Sequence, residues 1–380
     1  MRWIIIGVCV LALAGLGVIA PAAMNAANTA ALTKLANGDG PGAVETFETL
    51  ARFGHADAIN NLGVIRLRGM DGTRDRDAAV ALFERAFDKG HKVAGYNLAR
   101  MAENKHATPM EAVAVTLARL DPLVRAGDPH AAAEMARHLY YNNRDALVPA
   151  IHQRRIDLLE QAAASGDRVY TYLYARELWK VTNPDGTAMM IQAVETMLQA
   201  AKAGEPRAML HMGDMHWQSR SSFKEAFEGG YPGGDKFHWW SLGAKAGDMA
   251  STCRFAVNWF RDLRRRDTPL PVHRGPIETP DAETMQALAH VQTCAEAGKR
   301  PRIANPVFGV PALYLGRPMG GFETYRSSSA FAQMIYGMLL LEGRLVPREA
   351  ERGRAYLARA AENNTSAKAV LRAVDGFRPE

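Results

Sequence analysis

A glycine that closes one alanine-rich helix and opens the next recurs at Gly54, Gly90, Gly127, Gly166, Gly204, Gly247 and Gly298, at intervals of 36, 37, 39, 38, 43 and 51 residues. Around it stand phrases such as LARFGHADAINNLG, AFDKGHKVAGYNLA, LVRAGDPHAAAEMA and AAKAGEPRAMLHMG. A period of this length, with no strand-like alternation between the glycines, specifies stacked helix pairs. One pair cannot bury its apolar face alone, so the chain must fold by piling pair on pair. Length by itself suggests two or three globular domains; the repeat overrides it, because each unit packs on its neighbours.

Counting from each glycine as zero exposes columns. Position +4 is small: Ala58, Ala94, Ala131, Ala208 and Ser251, with Tyr170 the exception. Position +8 is large and apolar (Leu62, Leu98, Met135, Tyr174, Met212, Phe255), and +9 is Gly or Ala (Gly63, Ala99, Ala136, Ala175, Gly213, Ala256). Upstream, −7 is bulky: Phe47, Phe83, Leu120, Leu159, Met197, Trp240 and Val291. A small residue beside a large one lets two helices approach closely and fill the gap with the larger side chain. The glycines suit the left-handed position that ends a helix. The Asp128-Pro129, Asp167, Glu205-Pro206 and Asp248 that follow suit the start of the next one.

The segment ADAINNLGVIRLRGMDGTRDRDAAVALFERAFDKG, Ala56 to Gly90, resembles the Sel-one-like repeat family, relatives of the tetratricopeptide repeats, and HKVAGYNLA is the next closest copy. Later copies drift: the Asn before Leu becomes Glu134, Leu173, His211 and Arg254. The resemblance implies an all-α fold, a right-handed α-solenoid of stacked antiparallel helix pairs. It also implies adaptor and scaffold roles rather than one chemistry. Residues 27–298 are expected to form the solenoid, 299–327 a Pro/Gly-rich irregular segment, and 328–380 a divergent last repeat with a C-terminal helical cap. Two insertions break the period, at 221–235 and 263–281, and insertions in repeat proteins often serve binding.

Residues 1–26 read as a secretory signal or membrane anchor. Arg2 precedes the apolar run WIIIGVCVLALAGLGVIA, and small residues follow, with Ala20-Pro21-Ala22 or Met24-Asn25-Ala26 as the cleavage site. The run is also just long enough to cross a bilayer, so cleavage and anchoring both stand. Either reading places the rest outside the cytoplasm, in a bacterial-type periplasm. There Cys253 and Cys294, near the same end of one helix hairpin, can pair; two buried free thiols are the alternative.

The chain carries no G-x-S-x-G, P-loop, dinucleotide fingerprint or H-E-x-x-H. No catalytic residue, cofactor or metal site is therefore assigned. His211 and Asp214 share a helix face, but His216 points elsewhere and a third ligand would have to come from another helix. The formal charge of +6 is spread along the chain without a basic, aromatic-laced stripe, which excludes a nucleic-acid reading.

Columns +7 and +10 are neighbours on the first helix of each pair. They read Asn61/Val64, Asn97/Arg100, Glu134/Arg137, Leu173/Arg176, His211/Asp214 and Arg254/Val257. If these helices line a concave face, Asn61, Asn97, Arg100, Glu134, Arg137, Arg176, His211, Asp214 and Arg254 form a polar partner-binding row suited to an acidic protein or peptide. A solvated face with internal Glu134–Arg137 pairing is the alternative. Tyr96, Tyr172, Trp179 and Trp217 offer aromatic anchors. Arg261, Arg264, Arg265 and Arg266, beside Pro269 and Pro271, suit an anionic surface or form a solvated loop. The expected function is a non-catalytic, exported or membrane-anchored scaffold. The alternative is an envelope hydrolase of the β-lactam- or peptidoglycan-handling kind known among some repeat relatives.

Overall fold

The computed structural model describes residues 21–72, 74–102, 109–142, 149–179, 187–218, 235–264, 275–297 and 326–376. Among them the regular structure is entirely helical. The helices are α1 (Pro21–Ala36), α2 (Gly40–Arg52), α3 (Ala56–Arg68), α4 (Arg76–Asp88), α5 (Lys92–Ala102), α6 (Pro109–Arg125), α7 (Pro129–Asn142) and α8 (Pro149–Ala163). They continue as α9 (Arg168–Trp179), α10 (Thr187–Lys202), α11 (Pro206–Gln218), α12 (Lys236–Lys245), α13 (Met249–Arg264), α14 (Ala282–Glu296), α15 (Arg326–Glu342), α16 (Ala350–Ala361) and α17 (Thr365–Gly376). The fold is an α-solenoid of stacked helix pairs. It divides into two compact units at a marker glycine, one ending at Ser165 and the other beginning at Gly166. Each unit holds four pairs among the described residues, and within each unit successive helices pack side by side. The second unit adds α17, which packs on α16.

The described turns between pairs share a left-handed glycine. Gly54, Gly90, Gly127, Gly166, Gly204 and Gly247 all have φ between 77° and 88°. That left-handed position costs glycine nothing and lets the chain reverse in one residue. The next amide reaches back five residues to close the helix: His55 N to Leu50 O at 3.0 Å, His91 N to Ala86 O at 3.1 Å, Asp248 N to Gly243 O at 2.9 Å. The same residue then caps the following helix. His55 Nδ1 accepts from Ala58 N at 3.2 Å, His91 Nδ1 from Ala94 N at 3.1 Å, Asp128 Oδ1 from Ala131 N at 2.9 Å and Asp248 Oδ2 from Ser251 N at 2.8 Å. One residue thus ends one helix and starts another.

The columns become contacts. Every described −7 and +8 residue is buried. Where the +9 residue is glycine, as at Gly63 and Gly213, it faces the bulky −7 residue of its own second helix, Phe83 or Trp240. A β-carbon at Gly63 would stand 2.8 Å from Phe83 Cε1. Phe83 and Trp240 are fully buried and need those glycines to fit against the helix. In the first unit the core gathers around Phe47, Ile59 and Phe83; in the second, around Met197, Met212, Trp240 and Phe260. Cys253 of α13 and Cys294 of α14 are bonded across one hairpin with 5.7 Å between their Cα atoms.

The apolar run and the stretch 299–325 lie outside the described residues, as do 221–234 and 265–274 of the two insertions. The described end of the second insertion is tied down: Glu278 N donates to Arg344 O at 2.9 Å, and the two side chains pair at 2.8 Å.

Candidate partner-binding face

In the first unit the polar columns face neighbouring first helices. Asn97 Nδ2 of α5 donates to Asn60 Oδ1 of α3 at 2.8 Å, Asn60 Nδ2 to Asn61 Oδ1 at 3.3 Å, and Asn61 Nδ2 to Asn28 Oδ1 of α1 at 3.1 Å. None of the four side chains is exposed. This chain of amides runs from α1 through α3 to α5 and joins three successive pairs. Asn61 and Asn97 are therefore placed between repeats, not on a free face. A carboxamide suits that place because it donates and accepts in one side chain.

The next pair swaps amides for charges. Glu134 of α7 is fully buried and accepts from Arg100 of α5 at 2.6 Å and from Arg137, one turn on, at 2.9 Å. Burial pushes the Glu134 carboxyl up, but Arg137 and Arg100 outweigh it and hold it below its ordinary value. Beside it the His130 ring packs tilted against Tyr96, centroids 4.4 Å apart, and the Tyr96 hydroxyl donates to Asp128 at 2.8 Å. Burial holds the His130 imidazole below its usual pKa. Tyr96 is thereby committed to packing and to the α7 cap.

The second unit repeats the theme with other residues. His211 Nδ1 bonds Arg207 O at 3.0 Å, its ring 5.5 Å from that of Tyr172, and burial lowers its pKa. Asp214 accepts from Trp240 Nε1 and from Arg254 Nε, each at 3.2 Å. Burial raises its carboxyl despite Arg254. His211 and Asp214 are thus engaged with their neighbours. Among the described residues no group of three His, Cys, Asp or Glu side chains gathers to hold a metal ion. Tyr172 is buried under the Arg207 guanidinium, 4.4 Å from its centroid.

Arg176 is the described member of the two columns that stands exposed. Three residues on, at the end of α9, Trp179 is 36% exposed. The two lie on one face of the helix. Arg100, Arg137 and Arg254 keep 15%, 17% and 25% of their side-chain surface. Of the basic cluster, Arg261 bonds Asn258; Arg265 and Arg266 lie outside the described residues, as does the Trp217 side chain.

Column counting missed three things. Asn60 sits at +6, and only the Asn-Asn doublet hinted at it. Asn28 precedes the first marker glycine, so no count reached it. The third is an open groove of about 270 Å³ in the first unit, lined by Glu48, Ala51, Arg52, Leu62, Leu82 and Arg85. Its acidic rim is spoken for: Glu48 pairs with Arg66 at 2.8 Å.

The Sel1 repeat model matches residues 56–91 and 330–365. The first match spans α3 and α4; the second spans most of α15 and all of α16. Among solved structures the chain is similar to a Sel1 repeat protein from Oxalobacter formigenes, at 16% identity and a TM-score of 0.53, over 91% of this chain and 89% of that one. It is also similar to a protective antigen present in uropathogenic Escherichia coli strains that displays an SLR fold, at 15% identity and a TM-score of 0.49, over 92% and 71% of the two chains. No curated protein matches the sequence.

Proposed function

Because the chain carries Sel1 repeats in both of its compact units, we propose that it is a non-catalytic scaffold that holds a protein or peptide partner in the bacterial cell envelope. Repeat stacks of this kind present preformed surfaces, so a partner meets groups already in place. The observation that carries the reading is the exposed Arg176–Trp179 pair on α9, a cation and a large aromatic on one helix face. These two residue types dominate the energetics of protein interfaces. The guanidinium favours a partner with carboxylates at the point of contact. The rest of the polar row supports this pair indirectly, by locking repeat to repeat.

An envelope location is supported by the apolar run before Pro21 and by the Cys253–Cys294 bond, which suits an oxidising compartment. Among the described residues no helix is long and apolar enough to cross a membrane. The hydrolase alternative gains nothing from Ser251. Its hydroxyl lies 2.5 Å from Asp248 Oδ2, but the residue is fully buried at the start of α13 and faces no substrate space.

The test is capture from native envelopes with purified wild type and an Arg176→Ala/Trp179→Ala variant. Helicity and Tm should match, and recovery of the co-purifying protein should fall at least tenfold. Equal recovery rejects this face, and turnover of cell-wall fragments by the pure protein rejects the scaffold reading.

A further inference from the structure

We propose, on the reading that the chain is exported, that it is cut between Ala22 and Ala23, just ahead of the first described residues that pack into the first repeat. The apolar run ends at Ala20, and from Pro21 the described chain is already helical, in α1. Pro21 and Ala22 are both exposed. From Ala23 onward the residues belong to the first repeat. Ala23 and Met24 are half-buried, and Met24 packs on the core that holds Ala43 and Phe47. Asn25 Oδ1 accepts from His55 Nε2 at 2.8 Å. That bond keeps the proton on Nε2 and leaves Nδ1 as the acceptor that caps α3 through Ala58 N at 3.2 Å. Asn28, a turn further on, is the buried end of the amide chain.

A cut after Ala26 would strip away Met24 and Asn25, taking an apolar side chain from the core and a partner from the α3 cap. A cut after Ala22 leaves Met24, Asn25 and Asn28 in place. The requirement of the cutting enzyme agrees. Membrane-bound signal peptidases read small residues at the first and third positions before the bond. Ala22 and Ala20 fill those places for the proposed bond, whereas the later bond would put Met24 in the third. The step is hydrolysis of one amide: water gives its hydroxyl to the Ala22 carbonyl carbon and a proton to the Ala23 nitrogen.

The experiment expresses the full chain in a bacterial host and separates cytoplasm from envelope. The N-terminus and intact mass of the envelope form are then measured. Wild type should begin at Ala23. Ala22→Arg should be exported at full length with the wild-type far-UV spectrum, since residue 22 is exposed. Ala26→Arg, also at an exposed position, should still begin at Ala23. An envelope form beginning at Ala27, a full-length wild-type envelope form, or an Ala26→Arg variant that is no longer cut would each overturn the proposal while leaving export intact. Wild type retained whole in the cytoplasm would instead overturn the export reading on which the proposal stands.

Discussion

Gly213 of α11 lies so close to Trp240 of α12 that a β-carbon on it would stand 2.4 Å from both Cδ1 and Nε1 of the indole. Trp240 is fully buried and its Nε1 donates to Asp214, one residue along α11 from the glycine. Gly213→Ala should therefore push the ring off its place and disturb the Asp214–Arg254 pair together. The expected cost is about 1–3 kcal/mol by overpacking, against the small gain that alanine ordinarily brings to a helix interior. Urea unfolding of the two proteins measures it, and a variant as stable as wild type would show that the helices can part without loss.

The amide chain from Asn28 to Asn97 gives a second expectation. Asn61→Ala removes both the donor to Asn28 and the acceptor for Asn60 inside a buried region. Depriving buried polar groups of a partner costs about 1–3 kcal/mol. A double-mutant cycle with Asn28→Ala should return a coupling energy of about 0.5 kcal/mol or more, as for residues in one network. Strict additivity would mean the two amides do not act together.

Acid should loosen the fold in two windows. Burial holds His55, His130 and His211 below the ordinary 6.5. Below that value the unfolded chain takes up protons that the folded chain refuses, so stability falls as the pH drops through it. His55 has a geometric reason to refuse: a proton on Nδ1 would face the Ala58 amide it now accepts from. Glu134 adds a second loss below 4.5, because its folded carboxyl is held lower than in the open chain. Asp214 and Asp248 act oppositely: burial raises both, so protonating them relieves a penalty present at neutral pH. Tm should thus decline from pH 7.5 to 5.5. His55→Asn, which keeps a cap acceptor without a titrating ring, should flatten the decline. An unchanged slope in that variant would remove His55 from the account.

How much of this was legible depended on whether a column's chemistry named its own neighbour. Gly63 and Phe83, or Gly213 and Trp240, could be read as a matched pair because a missing side chain on one helix calls for a large one on the next. The helix ends could be read because only glycine takes the left-handed turn freely. The hairpin that brings Cys253 to Cys294 was readable from their positions near one end of adjacent helices. The polar columns misled for a physical reason. Spacing of three shows that Asn97 and Arg100 share a face, but not which surface that face meets. A first helix in a stack is flanked by its own partner and by the neighbouring first helices, so a polar stripe is as readily shared between repeats as offered to solvent. The Glu134–Arg137 pairing was anticipated as a solvated contact. Arg100 reaching in from α5 is what makes it a buried one, and no local pattern announces an ion pair across 34 residues.

The central claim is that a partner docks on the exposed end of α9 while the remaining polar row holds the repeats together. A photo-crosslinking amino acid placed at Trp179 in living cells tests it most directly, with the same group at Arg125, whose side chain is 80% exposed, as control. The account predicts a discrete protein adduct from position 179 that is absent from position 125 and vanishes with Arg176→Ala. No adduct at 179, or an equal one at 125, would contradict it.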